Sequence, residues 1–353
     1  MAVREETGIR AECKGETYYF CSEGCRDKFL KDMSCKRPRT SYDLIIIGGG
    51  PAGLTAAVYA STMKVDAFLI AKDLGGQAVD STKIENYMGF DFITGPELIE
   101  KFREQLVRSH YVDHVISDAE KIEPVENGFG VTTAELKTYF AKAVIITTGM
   151  TRKKLGVDGE ERFQRKGIFY GNIQDLSFVQ DKDVAVIGGG NSALQFVENL
   201  QSVAGKICLV SATKLTADVT IIERVSDVGS LRIYEEFKVV EFAGNDTLSG
   251  ITIRKMAGEE TVRLPVQGAF IAIGLQPNSS LFSNLVELND RGEIVIQPDC
   301  STSRPGIFAA GDITNAFGKR IIIASGEGAK AALAARQYLL DIRKRKEAAV
   351  AGV

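Results

Sequence analysis

Short apolar runs alternate with stretches of helical periodicity along most of the chain. The runs at residues 44–47, 184–187 and 207–210 are continuously apolar, which predicts strands. A similar run at residues 306–310 precedes a helical pattern over about 325–343. This alternation of strands and helices predicts an α/β fold.

Two of these predicted strands run directly into glycine-rich turns that open a predicted helix. Both turns have the spacing Gly-x-Gly-x-x-small, formed by Gly48, Gly50 and Gly53 in the first and by Gly188, Gly190 and Ala193 in the second. Such a turn needs glycine, and small residues let the helix begin close to the strand. The backbone N–H groups at that helix start can hold a pyrophosphate. Two such turns predict two dinucleotides, as in a flavin enzyme with a nicotinamide domain.

Composition and charge exclude several classes of partner. The 353 residues are 44% hydrophobic and 25% charged, with a formal net charge of −3, which gives no indication of nucleic acid. The apolar stretch at residues 44–60 has nearly the length of a membrane span, but its Gly-Gly-Gly-Pro interruption favours a strand, a turn and a helix. The charged N-terminus has no apolar stretch of the signal-peptide type. We therefore expect a cytoplasmic protein with no membrane or nucleic-acid partner.

Four of the six cysteines lie within the first 35 residues, which differ in composition from the rest. Residues 16–29 resemble the YHS/TRASH class of small cysteine-containing metal-binding modules. That resemblance, together with the one-turn spacing of Cys21 and Cys25, suggests a zinc or copper site formed by Cys13, Cys21 and Cys25. A metal-free structural module is the alternative. Met1-Ala2-Val3 matches the end of a run found near the start of such modules, so we expect the natural start to lie upstream.

Further motifs accompany the glycine turns along the remainder of the chain. They are Gly75-Gly76-Gln77, Ile84-Glu85-Asn86-Tyr87, Thr147-Thr148-Gly149, Gly311-Asp312 and residues 321–329. As a set they resemble the low-molecular-weight thioredoxin reductase family over about residues 41–342. After residue 200 they are more similar to the flavoprotein subunit of alkyl hydroperoxide reductase.

The resemblance implies two Rossmann-like domains, one for FAD and one for NAD(P), after a small cysteine-rich module at residues 1–37. The FAD domain would comprise residues 41–154 and 278–342, and the NAD(P) domain residues 155–277. By analogy, FAD would contact Gly48, Gly50, Gly53, Gly76, Gln77, Asn86, Thr148, Gly149, Gly311, Asp312, Arg320 and Ile321. The nicotinamide dinucleotide would contact Gly188, Gly190, Asn191, Ser192 and Ala193. In these roles Asp312 holds the ribityl chain, as a carboxylate after a buried strand can.

One departure from the family concerns its redox-active Cys-x-x-Cys pair. The corresponding places here hold residues 171–174, Gly-Asn-Ile-Gln, with Asp175 retained after them. Without thiols there, the internal dithiol relay of the family cannot operate at this position. Asp175 is a candidate catalytic proton donor or acceptor, and a simple turn aspartate is the alternative.

A second departure concerns the choice between NADH and NADPH. The acid that usually ends the strand after the second glycine turn is replaced by Val210, and no arginine pair follows. Lys214 would give at most a weak preference for a 2′-phosphate. The sequence therefore predicts NAD(P)H without choosing between the two.

The leading hypothesis is an FAD-dependent NAD(P)H oxidoreductase that reduces an acceptor other than a dithiol at the usual site. Candidate acceptors are a ferredoxin-like protein carrier, a quinone, oxygen, a metal, or a disulfide presented by the N-terminal cysteines. Hinges near Leu155 and Pro277 would let the second domain move for hydride transfer. The alternatives are a flavin-binding metal sensor with little turnover, and a thioredoxin reductase that uses Cys21 and Cys25. The resemblance also implies a homodimer.

Overall fold

A computed structural model describes residues 9–13, 16–20, 22–24, 26, 39–81, 83–108, 111–170 and 176–350. The chain divides into two compact units. The first unit comprises Met1–Gly149 with Pro277–Val353, and the second comprises Met150–Gln276.

The described part of the N-terminal segment contains a β-hairpin. Its strands are β1 (Ile9–Cys13) and β2 (Glu16–Phe20), which pair antiparallel with Ile9 opposite Phe20. The Arg26 N–H then donates to the Ser22 carbonyl at 3.1 Å, which closes one helical turn. Residues 16–20, in the segment that resembles the YHS/TRASH class, therefore form a strand.

A seven-stranded sheet organises the first unit. Its strands are β3 (Ser41–Ile47), β4 (Ala67–Ala71), β5 (Val112–Ile116), β6 (Ala119–Val125), β7 (Gly128–Thr133), β8 (Thr138–Ile146) and β19 (Ile307–Ala309). The order is β5-β4-β3-β8-β7-β6, with β19 also on β8. Strands β3, β4, β5, β8 and β19 pair in parallel, whereas β6 and β7 pair antiparallel.

Three helices accompany this sheet, α1 (Pro51–Thr62), α2 (Gly95–Val107) and α5 (Ile321–Val350). Helix α2 begins with a capping box, in which Thr94 accepts from the Glu97 N–H and Glu97 accepts from the Thr94 N–H. Alternate residues of β3 face two separate cores. Leu44 and Ile46 pack with alanines of α1 and α5, while Ile45 and Ile47 pack on the opposite side of the sheet.

The second unit has a parallel sheet and an antiparallel one. The parallel sheet has the order β10-β17-β11-β12-β13, from β10 (Ile168–Tyr170), β11 (Val184–Ile187), β12 (Ile207–Ser211), β13 (Leu231–Glu235) and β17 (Gly268–Ile271). The antiparallel sheet is formed by β14 (Phe237–Gly244), β15 (Leu248–Lys255) and β16 (Thr261–Leu264). Helices α3 (Asn191–Leu200) and α4 (Val219–Ser226) belong to this unit. Two short strands, β9 (Met150–Arg152) and β18 (Leu275–Pro277), pair where the chain passes between the units.

The predicted α/β fold with two Rossmann-like domains is confirmed, since each unit contains a parallel sheet with a strand, glycine turn and helix. The last helix, which the sequence predicts from about Ser325, begins earlier, at Ile321. Within the part of the chain that the structure describes, no helix combines the length and apolar character needed to cross a bilayer.

Candidate dinucleotide-binding sites

The first glycine turn joins β3 to α1 so closely that two of its positions have no room for a side chain. Gly48 has a φ of +113°, and a Cβ there would collide with the Thr147 carbonyl. A Cβ on Gly53 would collide with the Gly48 carbonyl. The Thr147 hydroxyl lies 2.9 Å from the Ile47 carbonyl oxygen and 3.0 Å from that of Gly48, so its hydrogen bond holds the turn against β8. These glycines are therefore required by the fold itself.

Gly50, by contrast, has no such internal reason to be glycine. Its φ of −72° and ψ of −176° suit any residue. A Cβ built there would meet nothing within 4 Å. This open space lies directly before the N-terminus of α1, where free N–H groups and the helix dipole favour an anion. A pyrophosphate that touches the backbone at Gly50 explains the glycine, so the turn fits a dinucleotide.

The loop after β4 closes on this turn. The Gly75 N–H donates to the Gly49 carbonyl at 2.7 Å, and the Gly76 N–H donates to the Asp73 carboxylate at 2.7 Å. A Cβ on Gly76 would lie 3.2 Å from the Gly50 Cα. The structure thus brings Gly76, and with it the following residue Gln77, to the first glycine turn.

The loop that carries Asn86 adjoins the start of α5. Asn86 itself is exposed, but Ile84 and Ile93 of the same loop are buried and pack with Ile321. Of the predicted contacts, Asn86 and Ile321 therefore lie in neighbouring segments.

A buried carboxylate supports the strand end at Asp312. Glu327, on α5, is 6% exposed and accepts a 2.7 Å hydrogen bond from the Gly311 N–H. Its carboxylate also lies 3.5 Å from the Thr314 hydroxyl. Gly311 has a φ of +82°, a conformation that favours glycine. The contact with Glu327 fixes the turn that presents Asp312.

Burial and neighbouring positive charges have opposite effects on the ionisation of Asp312. Asp312 is half-buried, and burial raises its pKa, while Lys319 and Arg320 act in the opposite direction. Burial also raises the pKa of Glu327. Lys319 forms an ion pair with Glu293 at 3.1 Å and also bonds the Thr314 carbonyl. A small pocket opens here, lined among others by Asp312, Lys319 and Glu327.

One polar side-chain atom near this place has no partner. The Ser325 hydroxyl, in the first turns of α5, is buried and makes no hydrogen bond within the described residues.

Thr148 and Gly149 are held by hydrogen bonds from Asn278. The Asn278 Nδ2 donates to the Thr148 carbonyl at 2.7 Å, and its N–H donates to the Gly149 carbonyl at 3.0 Å. The two chain segments that leave the first unit are thereby fastened together.

The second glycine turn repeats the geometry of the first. Gly188 has a φ of +138°, and a Cβ there would collide with the Ala272 carbonyl. Gly190 is extended, and the nearest atom to a Cβ there is the Thr216 hydroxyl oxygen at 3.9 Å. The space before α3 is therefore open, as it is before α1.

The Asn191 side chain at the start of α3 is committed to the protein. Its Nδ2 donates to the Asp218 carboxylate and its Oδ1 accepts from the Asp218 N–H, both at 2.8 Å. Ser192 is exposed in the first turn of α3, and Ala193 is buried against the sheet. Asn191 therefore positions the segment before α4, and a ligand at this turn would meet its backbone.

The end of β12 carries no carboxylate. Val210 is 1% exposed and belongs to a hydrophobic core. Ser211 is also buried, at 2% exposed, and Lys214 is exposed in the loop that follows. The ribose carboxylate expected from the family pattern is therefore absent from this strand.

Four predicted site residues lie outside the described residues or in the short N-terminal hairpin. Asp175, with residues 171–174, lies outside the described residues, as do Cys21 and Cys25. Cys13 is the last residue of β1. Within the residues that the structure does describe, no group of three or more His, Cys, Asp or Glu side chains is arranged to hold a metal.

Two residues that belong to the sequence motifs, but to which the sequence assigned no role, lie at the first site. Thr147 bonds the glycine turn, and Glu327 bonds the Gly311 N–H. Glu327 has a signal in the sequence, since it stands between Gly326 and Gly328 in an otherwise apolar and small-residue segment. A charge in such a segment is unusual unless it is paired.

Comparisons with known proteins agree with this geometry. The family model described as pyridine nucleotide-disulphide oxidoreductase matches residues 42–337. A subunit of the alkyl hydroperoxide reductase of Staphylococcus epidermidis is 36% identical over 311 residues, covering 88% of this chain and 61% of that protein. A protein of Ferdinandcohnia aciditolerans named NADH dehydrogenase is 34% identical over 329 residues, covering 91% of this chain and 62% of that one. The chain thus spans somewhat less than two thirds of the length of these relatives.

Solved structures give the same result. The thioredoxin reductase of Lactococcus lactis aligns with a TM-score of 0.69 and 30% identity, covering 85% of this chain and 99% of that one. The thioredoxin reductase of Streptococcus pyogenes aligns with a TM-score of 0.65 and 34% identity, covering 86% and 99%. The chain, with its two glycine turns, therefore belongs to the pyridine nucleotide-disulphide oxidoreductase family.

Proposed function

We propose that this protein is an FAD-dependent NAD(P)H oxidoreductase whose electron acceptor is not a dithiol at the position usual for thioredoxin reductases. The observation that carries the proposal is the pair of open glycines, Gly50 and Gly190. Each stands before a helix N-terminus where the protein itself leaves room for a side chain. The family and the relatives named for NADH, thioredoxin and alkyl hydroperoxide chemistry support the same function.

The first unit would hold FAD. The N-terminus of α1 at Gly50 would take the pyrophosphate, and Asp312 would accept hydrogen bonds from the ribityl hydroxyls. Bound FAD supplies the capacity to take a hydride from NAD(P)H and to pass its electrons on. Arg320, which is exposed beside Asp312, adds positive charge at this end of the site.

The second unit would hold the nicotinamide donor. The pyrophosphate would lie at the α3 N-terminus, near Gly190 and the backbone of Asn191 and Ser192. Gly188 and Ala193 would keep that helix close to β11, as the steric limits at Gly188 require.

The acceptor is inferred from what the sequence lacks. Residues 171–174 contain no cysteine, so we propose that electrons would reach an external acceptor without passing through an internal dithiol at this position. Candidates are a ferredoxin-like protein carrier, a quinone, oxygen or a metal, and a disulfide formed by the N-terminal cysteines is an alternative. Asp175 would then serve as a proton donor or acceptor near the flavin. A flavin-binding sensor with little turnover is the competing proposal, and a homodimer is expected from the family.

Anaerobic stopped-flow mixing tests the central proposal. Purified, FAD-loaded protein mixed with NADH or NADPH should lose its yellow absorbance on the timescale of an ordinary enzyme turnover. Ferricyanide added to the reduced protein should restore the colour and sustain steady turnover. A flavin that neither nicotinamide reduces would contradict the proposal, and reduction without turnover on any acceptor would favour the sensor.

We also propose, from the sequence of the N-terminal segment alone, that Cys13, Cys21 and Cys25 bind zinc or copper. Metal analysis of purified protein and of the Cys21→Ala variant tests this. Stoichiometric metal that is lost in the variant would support the site. Metal-free wild-type protein would leave a purely structural module.

A further inference from the structure

The second unit has to recognise the adenosine ribose of its dinucleotide without the usual acid. In Rossmann-type domains this acid ends the strand after the glycine turn and bonds the ribose 2′-hydroxyl. Here that strand is β12, where Val210 is in the core and Ser211 is buried. A carboxylate from elsewhere at the same edge of the sheet would have to replace it.

Glu235 provides such a carboxylate. It is the last residue of β13, which pairs in parallel with β12 so that Ser211 lies directly opposite Glu235. Because the carboxyl ends of parallel strands meet at one edge of a sheet, the exposed Glu235 is at the edge where ligands bind. Its Oε1 accepts a 2.8 Å hydrogen bond from the Leu215 N–H. A carboxylate has a second oxygen and further acceptor capacity for a ligand hydroxyl.

The same hydrogen bond places Glu235 against the loop that leads back to the glycine turn. The N–H groups of Thr216 and Ala217 donate to the Gly189 carbonyl at 2.8 and 3.1 Å. The loop of residues 212–217 is thus attached to Glu235 on one side and to the glycine turn on the other. A ribose next to a pyrophosphate at that turn lies beside this loop.

The charges of this region are predominantly negative. Lys214 is the one basic residue in the loop of residues 212–217 and is exposed. Two negative charges lie near it, those of Asp218 and Glu235. Asp218 is hydrogen-bonded to Asn191, and Glu235 to the Leu215 N–H. A 2′-phosphate bound beside this loop would therefore meet two carboxylates and one exposed ammonium group, and like charges repel.

We propose that Glu235 is the specificity-determining residue of the nicotinamide site and selects NADH over NADPH. The inference rests on the proposed function. The carboxylate would accept a hydrogen bond from the free ribose 2′-hydroxyl and repel the 2′-phosphate.

Calorimetric titration with ADP-ribose and with 2′-phospho-ADP-ribose tests the inference without requiring turnover. Wild-type protein should bind ADP-ribose at least about tenfold more tightly. Glu235→Gln should reduce that ratio by at least about fivefold. Glutamine can still accept the Leu215 N–H bond, so the loop and the fold should be retained, which thermal unfolding checks. Glu259→Gln, the matched control, removes the same charge from the turn of the β15–β16 hairpin and should leave the ratio unchanged.

The outcomes separate the two proposals. Equal or tighter binding of the phosphorylated ligand by wild-type protein overturns the role of Glu235. An unchanged ratio in Glu235→Gln, or an equal change in Glu259→Gln, does the same. Selective binding of ADP-ribose together with a flavin that NADH does not reduce would instead preserve the specificity and remove the proposed redox function.

Discussion

A methyl group at Gly50 should separate the requirements of the fold from those of the cofactor. The substitution Gly50→Ala places a Cβ where the protein has no atom within 4 Å, on a backbone with φ of −72°. The folded state therefore incurs no steric cost. Alanine lowers the entropy of the unfolded chain, worth about 0.4–1 kcal/mol, and is a poorer N-cap than glycine by a similar amount. The free energy of unfolding of apo-protein should change by less than about 1 kcal/mol.

FAD binding should respond quite differently. If the pyrophosphate contacts the Gly50 backbone, the added methyl group overpacks that contact, at a cost of about 1–3 kcal/mol. This corresponds to an FAD dissociation constant raised about 5- to 150-fold. Titration of apo-protein with FAD, followed by quenching of flavin fluorescence, measures the change, and urea unfolding measures stability.

Two matched variants make the comparison specific. Gly48→Ala should destabilise apo-protein by more than about 2 kcal/mol, because it combines a φ of +113° with a collision at the Thr147 carbonyl. Gly190→Ala should retain stability and FAD affinity and lose nicotinamide affinity. Wild-type FAD affinity in Gly50→Ala, at unchanged stability, would refute the assignment of the pyrophosphate to this turn.

Three further predictions concern buried groups. Glu160 is 2% exposed and accepts hydrogen bonds from the N–H groups of Leu155 and Gly156 and from the Tyr170 hydroxyl. Glu160→Ala should therefore lower the free energy of unfolding, measured by urea denaturation, by about 3 kcal/mol. The control Glu161→Ala, at the exposed neighbouring residue, should lower it by less than about 1 kcal/mol. Burial raises the pKa of Glu327, so the folded state takes up a proton at a higher pH than the unfolded chain. The free energy of unfolding of wild-type protein should therefore rise relative to that of Glu327→Gln as the pH falls from neutral to about 5. The opposite trend would contradict a raised pKa at Glu327. Burial raises the pKa of the Cys300 thiol to about 11, so little of the reactive thiolate is present at neutral pH. Peptide mapping after iodoacetamide treatment should find Cys300 unlabelled in native protein and labelled in protein unfolded by urea. Labelling of native protein would show that the thiol is accessible.

Local pattern was sufficient to predict much of this fold. The strand, glycine turn and helix at residues 44–62 and 184–200 are encoded within short stretches, because aliphatic runs specify buried strands and glycine spacing specifies the turns. The start of α5 was missed for a local reason as well. Residues 321–323 are three isoleucines, which favour strands, yet they form the first turn of the helix, and the Ala324 N–H bonds the Arg320 carbonyl at 2.9 Å.

The contacts that assemble the sites were not readable from local pattern. Glu327 accepts a hydrogen bond from the N–H of Gly311, which lies 16 positions earlier in the chain. Glu235 contacts Leu215 in the loop after β12 because β13 lies beside β12 in the sheet. Periodicity reports which face of an element is buried and not which element lies beside it. The supporting carboxylates could therefore be placed only once the sheet order was known.

Helix α5 joins the two ends of the proposed FAD site through consecutive residues. A Cβ on Gly328 would collide with the Ala52 carbonyl in the first turn of α1, so α5 and α1 are in backbone contact where the pyrophosphate would lie. The preceding residue, Glu327, holds the Gly311 N–H and with it the turn of Asp312. Because two consecutive residues of α5 make these contacts, a shift of this helical turn would disturb both the contact with Ala52 and the contact with Gly311. The packing of this helix thereby sets the distance between the first glycine turn and Asp312. A fixed distance of this kind would suit the proposed FAD site, where a pyrophosphate would lie at the turn and a polyol at Asp312.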